Sequence, residues 1–226
     1  MAANTLSILK PSVNNLAARV FVRAAGLEYE EVDMWGNKGT PEFLDKAPAD
    51  LTPLLEEEGL LRGSLWESCA ITQYLCNKHG LDRFYPTDPA ERAMNDSAMF
   101  YLIGTFYPLV ARATYPTLGF PQYPGEAATS DADDDVKAKA QQDATDALAV
   151  PLEAFHRFFL AGKQFIGGDS PSIADIRLAV TLEFLRAIDY EFPAWAEEYM
   201  QAVESALGDA YSEPAADVRA FVASAK

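Results

Sequence analysis

The sequence predicts an α/β domain over residues 1–82 followed by an all-α domain over residues 90–226. Three observations predict it. Short extended runs alternate with helical periodicity up to about residue 82, in the order β-α-β-α-β-β-α. A proline-bearing connector, Asp82 to Asp88 with Pro89 after it, comes next. Beyond it the apolar spacing is helical, with no convincing strand. A chain of 226 residues is long enough for two modest domains, each with its own core.

Thr5 to Leu9 reads as a short strand stopped by Pro11. Leu16, Ala17, Val20, Phe21 and Ala24 then recur at helical spacing until Gly26 ends the run. Tyr29 to Met34 alternates as a second strand, and Thr40-Pro41 opens a short helix. Leu51 to Leu55, the turn Glu56-Glu57-Glu58-Gly59 and the run up to Leu65 form a β-hairpin, with Pro53 tolerated as the first residue of its strand. After Ser68, Ile71, Tyr74 and Leu75 take up helical spacing. In the second domain residues 90–111, 134–162, 172–189, 194–208 and 214–224 carry helical periodicity, and Pro116 to Asp133 is expected to be an irregular loop. Ser172-Ile173-Ala174-Asp175 fits a capping box, in which Ser172 and Asp175 each accept from the other's backbone N–H.

With 34 acidic and 18 basic residues the net charge is −16, which works against a nucleic-acid or anionic-membrane partner. An anionic ligand must find local cations, and Arg19, Arg23, Lys38 and Arg112 are available. No run approaches the ~20 apolar residues that span a bilayer, and the N-terminus lacks a signal pattern, so a cytoplasmic location is expected. Cys69 and Cys76 lie seven apart on one predicted helix, about 10 Å, too far for a disulfide, and read as packed thiols. His79 and His156 have no carboxylate or thiol partners at ligand spacing, so no metal site is expected.

The most telling stretch is Leu65-Trp66-Glu67-Ser68-Cys69-Ala70-Ile71, which puts a carboxylate and a hydroxyl at a strand-to-helix corner. Unpaired backbone N–H groups at such a corner can bind an anion while Glu67 holds an ammonium beside it, a pairing that suits the zwitterionic end of an amino acid. A plain helix-capping role for both residues is the alternative.

The proline-led strand pair followed by Glu67-Ser68, together with Tyr85-Pro86-Thr87-Asp88-Pro89 and the Ser172 box after Phe165-Ile166-Gly167-Gly168, resembles the glutathione S-transferase family over nearly the whole chain. The resemblance implies a thioredoxin-like N-terminal domain that binds glutathione as co-substrate, with a cis Thr52-Pro53 bond. Lys38, Thr52, Pro53, Glu67 and Ser68 would contact glutathione. It also implies a homodimer in which the N-terminal domain of one subunit packs on the helical domain of the other.

Activating glutathione means favouring its thiolate, and lowering a thiol near pKa 8.5 by two units takes about 2.7 kcal/mol of selective stabilisation. The loop that should supply it reads Lys10-Pro11-Ser12-Val13-Asn14-Asn15-Leu16-Ala17. It looks beta-like in its Lys-Pro frame but has Asn14 where that class keeps a cysteine. A theta-like count puts Asn15 at the serine position, and a nu-like count uses Ser12 and Asn14. Asn15, assisted by Ser12 or Asn14, is the expected thiolate donor, and a turn or cap role is the alternative reading of both asparagines. Without a loop cysteine, conjugation is preferred over a mixed-disulfide route. The electrophile is expected between the domains, with Phe100, Gly104 and Tyr107 on one helical face and Tyr115 and Phe120 closing the pocket, although interhelix packing would explain the same aromatics. The expected function is conjugation of glutathione to a small apolar electrophile, an epoxide or organic halide. Glutathione-dependent disulfide reduction, or a non-catalytic binding role in the same fold, are the alternatives.

Overall fold

The computed structural model describes residues 4–120 and 133–226. Strands β1 (Thr5–Ile8), β2 (Glu30–Asp33), β3 (Leu54–Glu56) and β4 (Ser64–Trp66) make one mixed sheet in the order β2-β1-β3-β4. β1 pairs parallel to β2 and antiparallel to β3, and β3 pairs antiparallel to β4. Helices α1 (Val13–Ala24), α2 (Pro41–Lys46) and α3 (Ser68–His79) complete a thioredoxin-like domain.

Strand alternation divides its core in two. Leu6, Ile8 and Leu55 join the large core with α1 and α3, whereas Leu54 joins Phe43 and Ala47 in a small cluster under α2. The large core runs on into the helical domain, because α1 packs against α3 on one side and against the second domain on the other. That is why nearly every residue from Val13 to Val22 is buried, polar Asn15 and Arg19 included.

The second domain is all helical in its described residues: α4 (Pro89–Tyr101), α5 (Tyr107–Leu118), α6 (Asp134–Ala147), α7 (Ala149–Ala154), α8 (Ile173–Leu182), α9 (Ala194–Leu207) and α10 (Asp209–Ser224). A π-helical stretch, Leu102–Phe106, joins α4 to α5, a second one spans Phe155–Leu160, and a 3₁₀ stretch, Glu183–Ile188, follows α8. Pro108 gives the first π stretch a cause. It has no N–H, and its ring would press on the Gly104 carbonyl four residues back, so a wider turn is the relaxed solution.

Several expectations are corrected. The helical run expected over residues 90–111 continues in α5 through Pro116 to Leu118, where left-handed Gly119 ends it, so Pro116 does not open a loop. Residues 121–132 of the expected loop lie outside the described residues. The hairpin strands are shorter than expected, and Leu51 to Pro53 stand outside β3, with Thr52-Pro53 in cis. The last helix starts at Asp209 and carries Pro214 inside it.

The turn after β3 is not simply solvated. The Glu57 side chain is buried and accepts from the Tyr29 and Tyr74 hydroxyls at 2.5 Å each and from Lys78 at 2.6 Å. Burial alone would raise its carboxyl, but these three donors together hold it below the usual carboxylate range.

The capping box forms, with the Asp175 carboxylate accepting from Ser172 N–H at 2.7 Å and Ser172 Oγ accepting from Asp175 N–H at 3.3 Å. Asp175 also accepts from Ile166 N–H and the Tyr199 hydroxyl, pinning the preceding loop to α8 and α9. Gly167 is required there, since a Cβ would stand 2.4 Å from the Ser170 carbonyl oxygen. No helix among the described residues is long and apolar enough to cross a membrane.

Candidate functional site

Two helix heads meet at the seam between the domains. Ser12 is the N-cap of α1 but makes no side-chain capping bond, and Glu67 is the N-cap of α3 and makes none either. Neither helix has an acidic residue in its first turn. The first backbone N–H groups of both therefore keep their capacity for an anion. Glu67 holds φ 76°, a left-handed conformation costly for a residue with a side chain, and its carboxylate stays exposed beside buried Ser68.

Side-chain bonds knit these heads to their surroundings. Asn15, fully buried, donates its amide to Thr52 Oγ1 at 3.1 Å and to the Thr52 carbonyl at 3.4 Å, joining α1 to the cis-proline loop. Asn14, half-buried, donates to the Tyr107 hydroxyl at 2.9 Å and accepts from Arg177 Nη2 at 2.6 Å, joining α1 to α5 and α8. Tyr107 and Tyr115 share a hydroxyl contact of 2.7 Å. Lys38 lies 3.8 Å from Asp50 Oδ2, and Asp50 also accepts from Gly39 N–H, which places that lysine by the segment leading to Thr52.

The aromatic expectations divide. Tyr115 and Phe120 are in contact, ring centroids 5.2 Å apart, and Phe120 continues to Phe221 at 5.4 Å and Phe221 to Trp35 at 6.3 Å. Tyr107 joins them through its hydroxyl. Phe100 and Gly104 do not, since Phe100 is 66% exposed while Tyr107 is 7% exposed. The π stretch between Phe100 and Tyr107 explains the split. Its wider turn breaks the i, i+4, i+7 face that a regular helix would give.

The cations are also redistributed. All the nitrogens of Arg19 are committed, Nε to Glu31, Nη1 to the Pro214 carbonyl and Nη2 to Asp217, and Arg23 pairs with Glu31 and Glu213. Both arginines fasten α1 to its neighbours. Arg177, buried against Asn14 and the Tyr107 ring, was missed. Its sequence signal was a cation in the otherwise uncharged run Ile176 to Leu182, with Ile173 and Thr181 rather than a carboxylate at four residues either side. The thiols of Cys69 and Cys76 are buried and shifted upward by that burial, Cys76 to about 12, so neither is a ready nucleophile. His156 stacks on Trp195 at 4.4 Å, away from this site.

Such an arrangement can hold a small zwitterionic peptide along the Thr52 edge, with one anionic group at each helix head and an apolar reactant against the tyrosines and phenylalanines.

Residues 5–77 match the family model described as glutathione S-transferase, N-terminal domain, and residues 138–207 match that described as glutathione S-transferase, C-terminal domain. The Bombyx mori glutathione transferase BmGSTD1, solved in complex with GTT, is 26% identical, covering 100% of this chain and 99% of that one, with a TM-score of 0.78. Human glutathione-S-transferase T1-1 in its apo form shares the fold at 22% identity, covering 97% of this chain and 91% of that one, with a TM-score of 0.80. A glutathione transferase homolog from Sulfitobacter with bound glutathione shares it at 19% identity, covering 94% and 97%, with a TM-score of 0.73.

Proposed function

Because the chain belongs to the glutathione S-transferase family and uses glutathione as co-substrate, we propose that it adds the glutathione thiolate to a small apolar electrophile of the epoxide or organic-halide class. The observation that carries this reading is the pair of uncapped helix heads, at Ser12 of α1 and at Glu67 of α3, with α1 bonded to the Thr52-Pro53 loop and Tyr107, Tyr115 and Phe120 in contact beside Asn14. Glu67, Ser68 and the head of α3 hold the γ-glutamyl end through its ammonium and carboxylate. The Thr52 backbone, just ahead of β3, aligns the cysteinyl unit, and Lys38 meets the glycyl carboxylate.

The sulfur then lies at the head of α1. Asn15, expected from the theta-like count to contact it, is buried with its amide given to Thr52, so its role becomes holding the cis-proline loop. Ser12 and Asn14 take the sulfur instead. Both are half-buried, the Ser12 side chain has no capping bond, and Asn14 has a second amide hydrogen beyond the one given to Tyr107. Neither can accept the thiol proton as a strong base, so the site acts by stabilising the anion and the proton leaves to solvent.

A panel of epoxides, organic halides and disulfides, each assayed with glutathione, tests the reading. Turnover of epoxides or halides supports it. Turnover confined to disulfides makes the chain a glutathione-dependent reductase and overturns it.

Assembly as a two-fold homodimer is part of the same proposal. Exposed Phe100, Val150 and Phe158 on the helical domain, with Leu51 and Leu61 on the other, support a covered apolar contact strong enough to outweigh the repulsion between −16 charges. Sedimentation should give twice the 24.7 kDa chain mass, and a single species at the chain mass at micromolar concentration would refute it.

A further inference from the structure

Arg177 is buried, charged and almost unpartnered. It is 2% exposed, and among the described residues its single hydrogen bond goes from Nη2 to Asn14 Oδ1 while its buried Nε and Nη1 have no partner. Its Cζ stands 5.0 Å from the Tyr107 ring centroid. A guanidinium keeps its proton, so this is a permanent positive charge in a dry place, and no carboxylate pairs with it among the described residues. From α1 it meets Asn14, from α5 Tyr107, and from α3 the Cys69 thiol, whose upward shift by burial its charge opposes. On its own helix, Asp175 is already committed to Ser172, Ile166 and Tyr199. An uncompensated buried cation is costly, and a site that binds an anion nearby gives it a counter-charge.

A guanidinium only donates, so it must face the oxygen of Asn14. That fixes which way the amide points. Nδ2 then faces Tyr107 and the cleft, with one hydrogen on the Tyr107 hydroxyl at 2.9 Å and one left over. The same charge polarises the amide and strengthens what its N–H groups donate.

We propose that Arg177 is a positioning residue for the glutathione sulfur: it locks the Asn14 amide with an N–H toward the cleft and supplies the buried positive charge that the bound thiolate balances. This rests on the reading that Ser12 and Asn14 receive the sulfur. The alternative is a purely mechanical role, in which the Arg177–Asn14 bond docks α8 on α1.

The test is an ultraviolet titration of the thiolate of glutathione bound to the full-length chain. In the unaltered protein the bound thiol should titrate below the ~8.5 of a free thiol. Arg177→Gln and Arg177→Met should each raise that pKa by about one unit, tenfold less thiolate at a pH below both values, while glutathione affinity for the protonated thiol changes by less than about twofold. In an Asn14→Ala background the same substitutions should add little, because the two residues act as one unit. Arg177→Lys keeps the charge with a shorter reach and should recover part of the shift. A folded Gln or Met variant with an unmoved thiol pKa overturns the inference, as does a full additional shift in the Asn14→Ala background. Should neither variant fold, Arg177→Lys decides: a pKa above that of the unaltered protein supports the role and an unmoved one overturns it. A thiol in the unaltered protein that titrates like free glutathione would overturn the proposed sulfur site itself, a different result from the failure of Arg177 alone.

Discussion

Arg19 and Arg177 are both buried at the seam between the two domains, 3% and 2% exposed, yet they live in opposite electrostatic worlds. Arg19, midway along α1, gives every nitrogen to a partner, Glu31 from its own domain and Asp217 and Pro214 from α10. Arg177, facing the head of α1, gives one bond to a neutral amide and has two nitrogens with none. The outer seam is a satisfied network in which every guanidinium faces carboxylates. The inner seam carries a surplus positive charge beside two uncapped helix heads. A guanidinium that answers to carboxylates holds the domains together, whereas one that answers to no anion among the described residues is, in the role proposed above, a place prepared for one from outside.

The sharpest way to break this contrast is to remove the outer arginine. Arg19→Met should cost about 2 kcal/mol in denaturant unfolding, because a charged network is lost while its partly exposed carboxylates can rehydrate. The titration of bound glutathione should stay where it was. A shift in that titration as large as the one expected for Arg177→Gln would erase the division between the seams.

Next in size come the residues proposed to hold glutathione by its unreactive end. Glu67→Ala and Ser68→Ala should each raise the KM for glutathione about tenfold, roughly 1.4 kcal/mol, with kcat at saturating glutathione little changed. A fall in kcat with KM unmoved would place these residues at the sulfur instead.

Asn15→Ala should have a smaller effect. Losing the bonds to Thr52 should lower stability by about 1 kcal/mol and raise KM modestly through a looser cis-proline loop, with the bound-thiol pKa unchanged. If that pKa rises, the theta-like count is right and the sulfur contact belongs to Asn15.

The smallest expected change is that of Tyr107→Phe, which removes the hydroxyl that accepts from Asn14 while keeping the ring under Arg177. Arg177 still fixes the amide, so the thiol pKa should move by less than about half a unit. A full unit would make Tyr107, rather than Arg177, the group that orients Asn14.

Much of this molecule was legible in the sequence because the signals were local. Period-2 and helical spacing located the strands and most helices, Pro53 and Glu67-Ser68 marked the corner, and Ser172-Ile173-Ala174-Asp175 specified its own capping box within four residues. The residue proposed to receive the thiolate was not legible, since three polar residues within one turn, Ser12, Asn14 and Asn15, satisfy three different alignments. Helical phase separates them only once α1 is seated. The turn that buries Asn15 against Thr52 leaves Asn14 facing α5 and α8. Likewise, nothing local distinguishes the fully paired Arg19 from the stranded Arg177, because their environments come from residues 198 and 163 positions away along the chain. The aromatic contacts were only partly legible, as the π stretch before Pro108 rotated Phe100 out of the face it would otherwise share with Tyr107. Local sequence sets backbone preference and apolar pattern. Which charge meets which partner is decided only when distant segments pack, because electrostatic worth depends on burial and neighbours that no short stretch of sequence contains.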